Sequence, residues 1–284
     1  MTEIQKVIYN IYLEVAKILK GNNIDYYANG GTCLGAVRHN GFIPWDDDLD
    51  IAVPIEQFDY MIDVLNEELP SYYSVRFIEH NDHYGNIFVK VIDERTTCIE
   101  RVEYKYPDAF KGVFIDIMPL SGMPDNDIKR HFFCRMINVL RILNDIRRFD
   151  IDAMDLEWKR KLHPIIRRFD KQIPASYFAN KWYELLKKYP FEVCNYTGYV
   201  WWYDVLRLVY RKEVFGQPTP YPFEDTIMYC PQDADALLKQ QFGDYMKLPP
   251  VEKRIPLHRG VLDLDHSYHD YQEGKYLLYC DSSN

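Results

Sequence analysis

The stretch that decides the fold is "GGTCLGAVRHNGFIPWDDDLDIAV", residues 30–53. Paired glycines open it. Asp46, Asp47, Asp48 and Asp50 crowd its end, inside a run that otherwise reads as a hydrophobic strand. Like charges this close repel, and an unpaired buried carboxylate is costly, so something positive is called for among them. In an extended strand, residues i and i+2 share a face, about 6.7 Å apart. Asp48 and Asp50 then share one face, and Asp46 joins them if the extension begins early enough. Leu49, Ile51 and Val53 share the opposite, core-facing side, and Asp47 points away. Converging carboxylates suit a hard divalent cation, magnesium or manganese, which shares oxygen ligands with water and substrate phosphates.

Two neighbouring segments extend this reading. GVFIDIMPL, residues 112–120, is an apolar strand with one carboxylate, Asp116. If that strand lies beside the first, Asp116 is the third acidic group. Upstream, IDYYAN (24–29) reads as a strand running into Gly30 and Gly31, with Thr32 capping a helix over 32–39. A strand, a glycine pair and a helix start make a phosphate cradle, because small residues admit the backbone and helix-start amides favour anions. Arg38 and His39 follow, either adding positive charge beside a phosphate or sitting on the surface. Lys90, in the strand NIFVKVID (86–93), has two open readings, contact with donor phosphate or a solvent-facing position. An EF-hand is excluded: its required Gly and Glu are Ile51 and Gln57 here.

Working outward, residues 3–20 read as an amphipathic helix and Pro54 opens another to about 68. VRFIEH (75–80), TTCIERV (96–102) and FEDTIMYC (223–230) read as strands. PQDADALLKQQF reads as a helix opened by Pro231, and the tail after 250 as loop. Strands precede a helical block, so the class is α+β (mixed α/β). Residues 1–124 form the expected catalytic core, 125–190 a basic helical segment, and 191–284 a C-terminal part completing the domain. Between 129 and 188 stand 15 Lys and Arg against 7 Asp and Glu, although the whole chain carries a net charge of −9. The balance argues against nucleic-acid binding. The basic segment is either a solvated face or a surface for an anionic membrane or glycan. Six scattered cysteines without a CxxC pair argue against a disulfide framework or a four-cysteine zinc site. Without a signal peptide or an apolar run of about 18 residues, the expected location is cytoplasmic, with an option at the inner membrane face.

Residues 30–53, together with GVFIDIMPL, FEDTIMYCP (223–231) and FGDYMKLPP (242–250), resemble the LicD family, which includes fukutin and fukutin-related protein. Phe242 stands where that pattern has tyrosine. The resemblance implies a nucleotidyltransferase-type fold, a small mixed sheet flanked by helices. It implies a CDP-activated alcohol donor and transfer of the phospho-alcohol, phosphocholine first, to a hydroxyl of a cell-surface glycan or its lipid-linked precursor. Gly30, Gly31 and Thr32 match the family's phosphate turn, Asp46, Asp48 and Asp50 its metal-binding aspartates, and Asp116 its third acidic strand position. Asp48, Asp50 and Asp116 are therefore the expected catalytic group. Asp116 is the first candidate for general base and Asp46 the second. If the donor carries choline, Tyr196, Tyr199, Trp201, Trp202 and Tyr203 offer aromatic faces, or they form core. His258, His266 and His269 read as a polar tail. Two rival functions stand beside this one, a metal-dependent nucleotide-sugar glycosyltransferase with an Asp-x-Asp motif and a non-catalytic glycan-binding relative.

Overall fold

The computed structural model describes residues 1–78, 86–104, 106–148, 174, 176–201, 205–256 and 260–275. Helix α1 (Glu3–Gly21) starts where Thr2 and Gln5 form a reciprocal capping box. Its apolar stripe, including Ile8, Ile11, Val15 and Leu19, is fully buried. After α1 come β1 (Tyr27–Ala28), α2 (Gly30–His39), β2 (Asp50–Pro54), α3 (Ile55–Glu68), β3 (Tyr73–Arg76), β4 (Val89–Asp93), β5 (Thr97–Glu100), β6 (Phe114–Leu120) and β7 (Gly122–Met123). One five-stranded sheet runs in the order β1-β2-β6-β4-β3. Its only parallel pair is β2 with β6. A parallel neighbour needs a long crossover, and the chain from α3 to β5 supplies it. Leu49, Ile51, Val53, Ile115 and Ile117 are all fully buried, as the alternation of DLDIAV requires.

The helical block begins with α4 (Asp127–Arg148) and continues as α5 (Tyr177–Lys187). Residues 149–173 and 175 lie outside the described residues, as does the end of VRFIEH. Then follow β8 (Tyr196–Gly198), β9 (Val209–Arg211), α6 (Lys212–Phe215), β10 (Thr219–Phe223), β11 (Thr226–Cys230), α7 (Ala234–Phe242), β12 (Gly260–Asp263) and α8 (Tyr268–Gln272). No described helix is long and apolar enough to cross a membrane.

Three local readings are corrected. FEDTIMYC is not one strand: Glu224 takes φ 54° and turns the chain between β10 and β11. That turn grips the chain after α2, where Glu224 N donates to Asn40 O (2.8 Å) and Phe42 N donates to the Glu224 carboxylate (3.0 Å). The tail is not all loop, since β12 pairs antiparallel with β5. Helix α7 starts at Asp233, whose carboxylate accepts from Ala236 N, two residues past Pro231.

Gln5 ties α1 to the acidic loop. Its buried side-chain amide donates to Ile43 O (3.0 Å) and Asp46 O (2.8 Å). Gln5→Ala leaves both carbonyls without that donor and is expected to cost about 1–3 kcal/mol. Urea denaturation checks this as a lower midpoint at unchanged slope.

Candidate active site

Glycine is required where α2 begins. Gly30 takes φ +46°, and a methyl on Gly31 would stand 2.7 Å from Asp46 Oδ2. The helix starts earlier than the sequence suggests, with Asn29 at the cap position, so Thr32 is not the cap. Thr32 acts on the strand instead: its hydroxyl accepts from Asp50 N at 2.8 Å, while Asn29 N donates to Asp50 O at 3.0 Å. The glycine turn and the first strand carboxylate are thus strapped together through one residue.

Register then builds a row of charges. Asp50 pairs with Asp116, Asp116 with Lys90, and Lys90 with Arg76, across four adjacent strands. Cross-strand partners project to the same face. Lys90 Nζ donates to both oxygens of Asp116, at 2.6 and 2.8 Å. It also lies 3.4 Å from the centroid of the Phe114 ring, whose surroundings include the buried Lys111 ammonium at 5.3 Å. Lys111 is in turn paired with Glu103 and Glu100. Burial holds the Lys90 pKa below its usual value against the pull of Asp116. The Asp50 carboxyl is pushed well above the carboxylate range by burial, then by Asp48 and Asp116.

A cavity of about 570 Å³ opens on this edge of the sheet. Its lining includes Gly30, Gly31, Asp46, Asp48 and Asp50. It also includes the aromatic side chains Phe88, Trp182, Tyr199 and Trp201, the last two stacked at 5.0 Å. Two lining groups, Asn29 Oδ1 and Trp182 Nε1, are buried without a hydrogen-bond partner, while the Tyr199 hydroxyl and the Gln241 carboxamide, near each other, make no well-formed bond. Unsatisfied buried polar atoms are few in native proteins, and their gathering around one cavity marks a place for a polar ligand.

The expected site residues divide into groups. Gly30, Gly31, Asp46, Asp48 and Asp50 meet at the cavity, and Asp47 is absent from its lining. Thr32, Asp116 and Lys90 stand behind them, outside the lining, so contact between Lys90 and donor phosphate gives way to its bond with Asp116. Arg38 and His39 sit in the last turn of α2 and are not part of the cavity lining. Tyr199 and Trp201 line the cavity, whereas Tyr196 lies elsewhere, under the guanidinium of Arg130 at 3.9 Å. Trp202, Tyr203 and His258 lie outside the described residues. His266 pairs with Asp263 and His269 with Glu94, as a polar tail would. Sequence reading missed Asn29, Arg141, Asp145, Trp182 and Gln241. Only the i, i+4 spacing of Arg141 and Asp145, a 3.2 Å ion pair at the cavity, left a trace.

Asp46, Asp48 and Asp50 all line the cavity. Among the described residues no group of three or more His, Cys, Asp or Glu side chains is placed to hold a metal ion.

Comparison with known proteins follows the same residues. The LicD/FKTN/FKRP nucleotidyltransferase domain matches residues 23–133. The chain is 28% identical over 265 residues to the lipopolysaccharide cholinephosphotransferase LicD of Haemophilus influenzae, covering 91% of this chain and 96% of that protein. It is 31% identical over 126 residues to an uncharacterised protein of Rickettsia prowazekii, 44% of this chain and 41% of that one. A 42-residue stretch is 40% identical to human ribitol 5-phosphate transferase FKRP, 15% of this chain and 8% of that protein. The chain thus carries a stretch similar to the LicD/FKTN/FKRP nucleotidyltransferase domain and is similar along most of its length to a lipopolysaccharide cholinephosphotransferase.

A raised carboxyl pKa stabilises the fold at low pH, and that stability is lost as pH rises through the folded value, at about 1.4 kcal/mol per unit. In chelator, the protein is therefore expected to melt higher at mildly acidic than at neutral pH. Asp50→Asn should raise the neutral-pH melting temperature by several degrees (~) and flatten this dependence. Thermal melts of both proteins across pH check it; equal slopes would remove Asp50 as the cause.

Proposed function

We propose that this chain is a LicD-family phosphotransferase and moves a phospho-alcohol, phosphocholine first among the choices, from a CDP-activated donor to a hydroxyl of a cell-surface glycan or its lipid-linked precursor. The observation that carries the reading is one cavity lined by carboxylates, a glycine turn and aromatic side chains together. Its volume suits a small ligand. The near-full-length likeness to a lipopolysaccharide cholinephosphotransferase supports the same reaction class.

Each residue then has a task. Gly30 and Gly31 admit the diphosphate to the backbone at the start of α2. Asp48 and Asp50 would hold magnesium or manganese, which when bound supplies charge neutralisation for the diphosphate and the departing CMP. Thr32 fixes Asp50 by its backbone amide. Asp116 and Lys90, locked together, set the field behind Asp50. Because both Asp116 oxygens are engaged by Lys90, the general-base role passes to Asp46, at the cavity wall. The acceptor oxygen attacks the phosphorus bearing the alcohol and its proton goes to Asp46. The bond from phosphorus to the CMP oxygen breaks, and CMP leaves with the electron pair. The aromatic side chains of Trp182, Tyr199 and Trp201 take a quaternary ammonium by cation–π attraction, with Asp145 on the same cavity.

Membrane association belongs to the same reading. On α4, Ile128 (81% exposed), Phe132 (67%) and Val139 (51%) face solvent near the exposed Lys129 and Arg135. An apolar stripe edged by basic residues suits an anionic lipid surface carrying a lipid-linked acceptor.

A donor screen by thermal shift tests the reaction class, using CDP-choline, CDP-ribitol, CDP-glycerol and UDP-sugars with and without magnesium. One CDP-alcohol should stabilise wild type only with the cation. Asp48→Asn should lose that shift and about 10²-fold or more of turnover while keeping its circular dichroism spectrum. A response to UDP-sugars alone would favour a glycosyltransferase instead.

Co-sedimentation tests the membrane surface. Wild type should bind vesicles containing phosphatidylglycerol and not pure phosphatidylcholine. Phe132→Ser with Ile128→Ser should release most of it; unchanged binding would remove α4 from this role.

A further inference from the structure

We propose that Arg38, Arg254 and Trp45 form an anion subsite for a phosphate-bearing sugar of the acceptor, beside the acidic loop and outside the cavity lining. This rests on the transfer reaction proposed above. Arg38 Nη1 donates to Tyr245 O at 2.5 Å and its Nε to His39 Nε2 at 3.0 Å. Arg254 Nε donates to Pro249 O at 2.9 Å, and its guanidinium carbon lies 5.4 Å from the centroid of the Trp45 ring. The His39 ring meets the same indole at 6.3 Å and 83°. One indole therefore connects both arginines.

The two carbonyl acceptors both come from FGDYMKLPP, a segment that the cavity leaves largely unexplained. Its backbone holds two guanidiniums in fixed orientation and leaves the outer Nη2 groups of both without a protein acceptor among the described residues. Neither arginine has a carboxylate partner among those residues. Arg254 stands near enough to Arg38 to depress its pKa, together with burial. Two like charges held together repel, and a shared phosphate with several acceptor oxygens would offset that repulsion. His39 accepts from Arg38, so it is neutral with its proton on Nδ1; burial and Arg38 keep its pKa below the usual value. It holds the arginine and adds no charge.

Position decides whose phosphate is bound. Asp46, Asp48 and Asp50 line the cavity, whereas Arg38, His39, Trp45 and Arg254 do not. Trp45 directly precedes Asp46 in the chain. The arginines therefore stand next to the acidic loop but outside the cavity assigned to the donor, and an anion held by them is assigned to the other reactant.

The test is a titration of protein labelled with 15N at its tryptophan indoles, with the Trp45 signal assigned by Trp45→Phe. Glucose 6-phosphate should move that signal, and glucose at the same concentration should not. Affinity for glucose 6-phosphate should fall at least ten-fold in Arg38→Gln with Arg254→Gln, and by less in Arg254→Lys, which keeps the charge without the fork and serves if the double variant unfolds. Equal affinity in wild type and variants would overturn the proposal. So would inorganic phosphate binding as tightly as the sugar phosphate. Calorimetry with CDP-choline and magnesium on the same variants separates the two readings. Donor affinity falling in step with sugar-phosphate affinity would assign the arginines to the donor and overturn the subsite. Failure of any CDP donor to bind wild type would overturn the reaction instead, and the sugar-phosphate titration would still decide the anion site.

Discussion

The structure turns on a negative charge that the sheet both buries and uses. Asp50 is the first residue of β2, flanked by fully buried Leu49 and Ile51, and its carboxyl is pushed toward the neutral form. An isolated carboxylate so placed would take up a proton. The fold surrounds it with restraints: Thr32 and Asn29 fix its backbone, and the parallel neighbour Asp116 brings Lys90 within reach. Breaking a buried ion pair by removing one partner costs more than the pair itself contributes. The Lys90–Asp116 pair is therefore better understood as fixing the environment of Asp50 than as stabilising the sheet.

This explains why the site has layers. A lysine free to contact phosphate would be an exposed or flexible one. Lys90 is neither, since it is buried, bound to two oxygens and pressed against Phe114. Its charge acts through Asp116 on the carboxylate row, and behind Phe114 the buried Lys111 with Glu103 repeats the arrangement. Across β2, β6, β4 and β3 the row runs from two carboxylates, Asp50 and Asp116, to two cations, Lys90 and Arg76, and the Lys90–Asp116 pair joins the two halves inside an apolar sheet.

Residues 30–53 made much of this legible. Period-two alternation put Leu49, Ile51 and Val53 in the core and the aspartates on the other face. Glycine before a helix marked the turn, and Asp116 could be placed beside Asp50 because both interrupt apolar strands. Long-range partnership was not legible. Lys90 alternates correctly for either a solvent or a buried position, and only the antiparallel register with β6 chooses. Thr32 looked like a cap because threonine caps helices, yet its hydroxyl bonds to a strand 18 positions away. Trp182 and Gln241 looked like ordinary helix residues, since an unsatisfied polar atom is a property of the assembled cavity and not of local spacing. Glu224 hid a turn within a β-rich run because glutamate is not a residue type that signals φ > 0.

Displacement at phosphorus places the attacking oxygen and the leaving oxygen in line on opposite sides of the transferred group. A protein doing this chemistry has to approach the phosphorus from two directions. The segment carrying Asp46, Asp48 and Asp50 is braced on several sides. It is held from beneath by Gln5, it closes on Gly31 at one flank, and at the other it presents Trp45 to Arg254 and His39. Crowding aspartates on a short loop is costly in a folded protein. Under the transfer proposed above, that cost sets one row of carboxylates beside both the cavity and the two arginines.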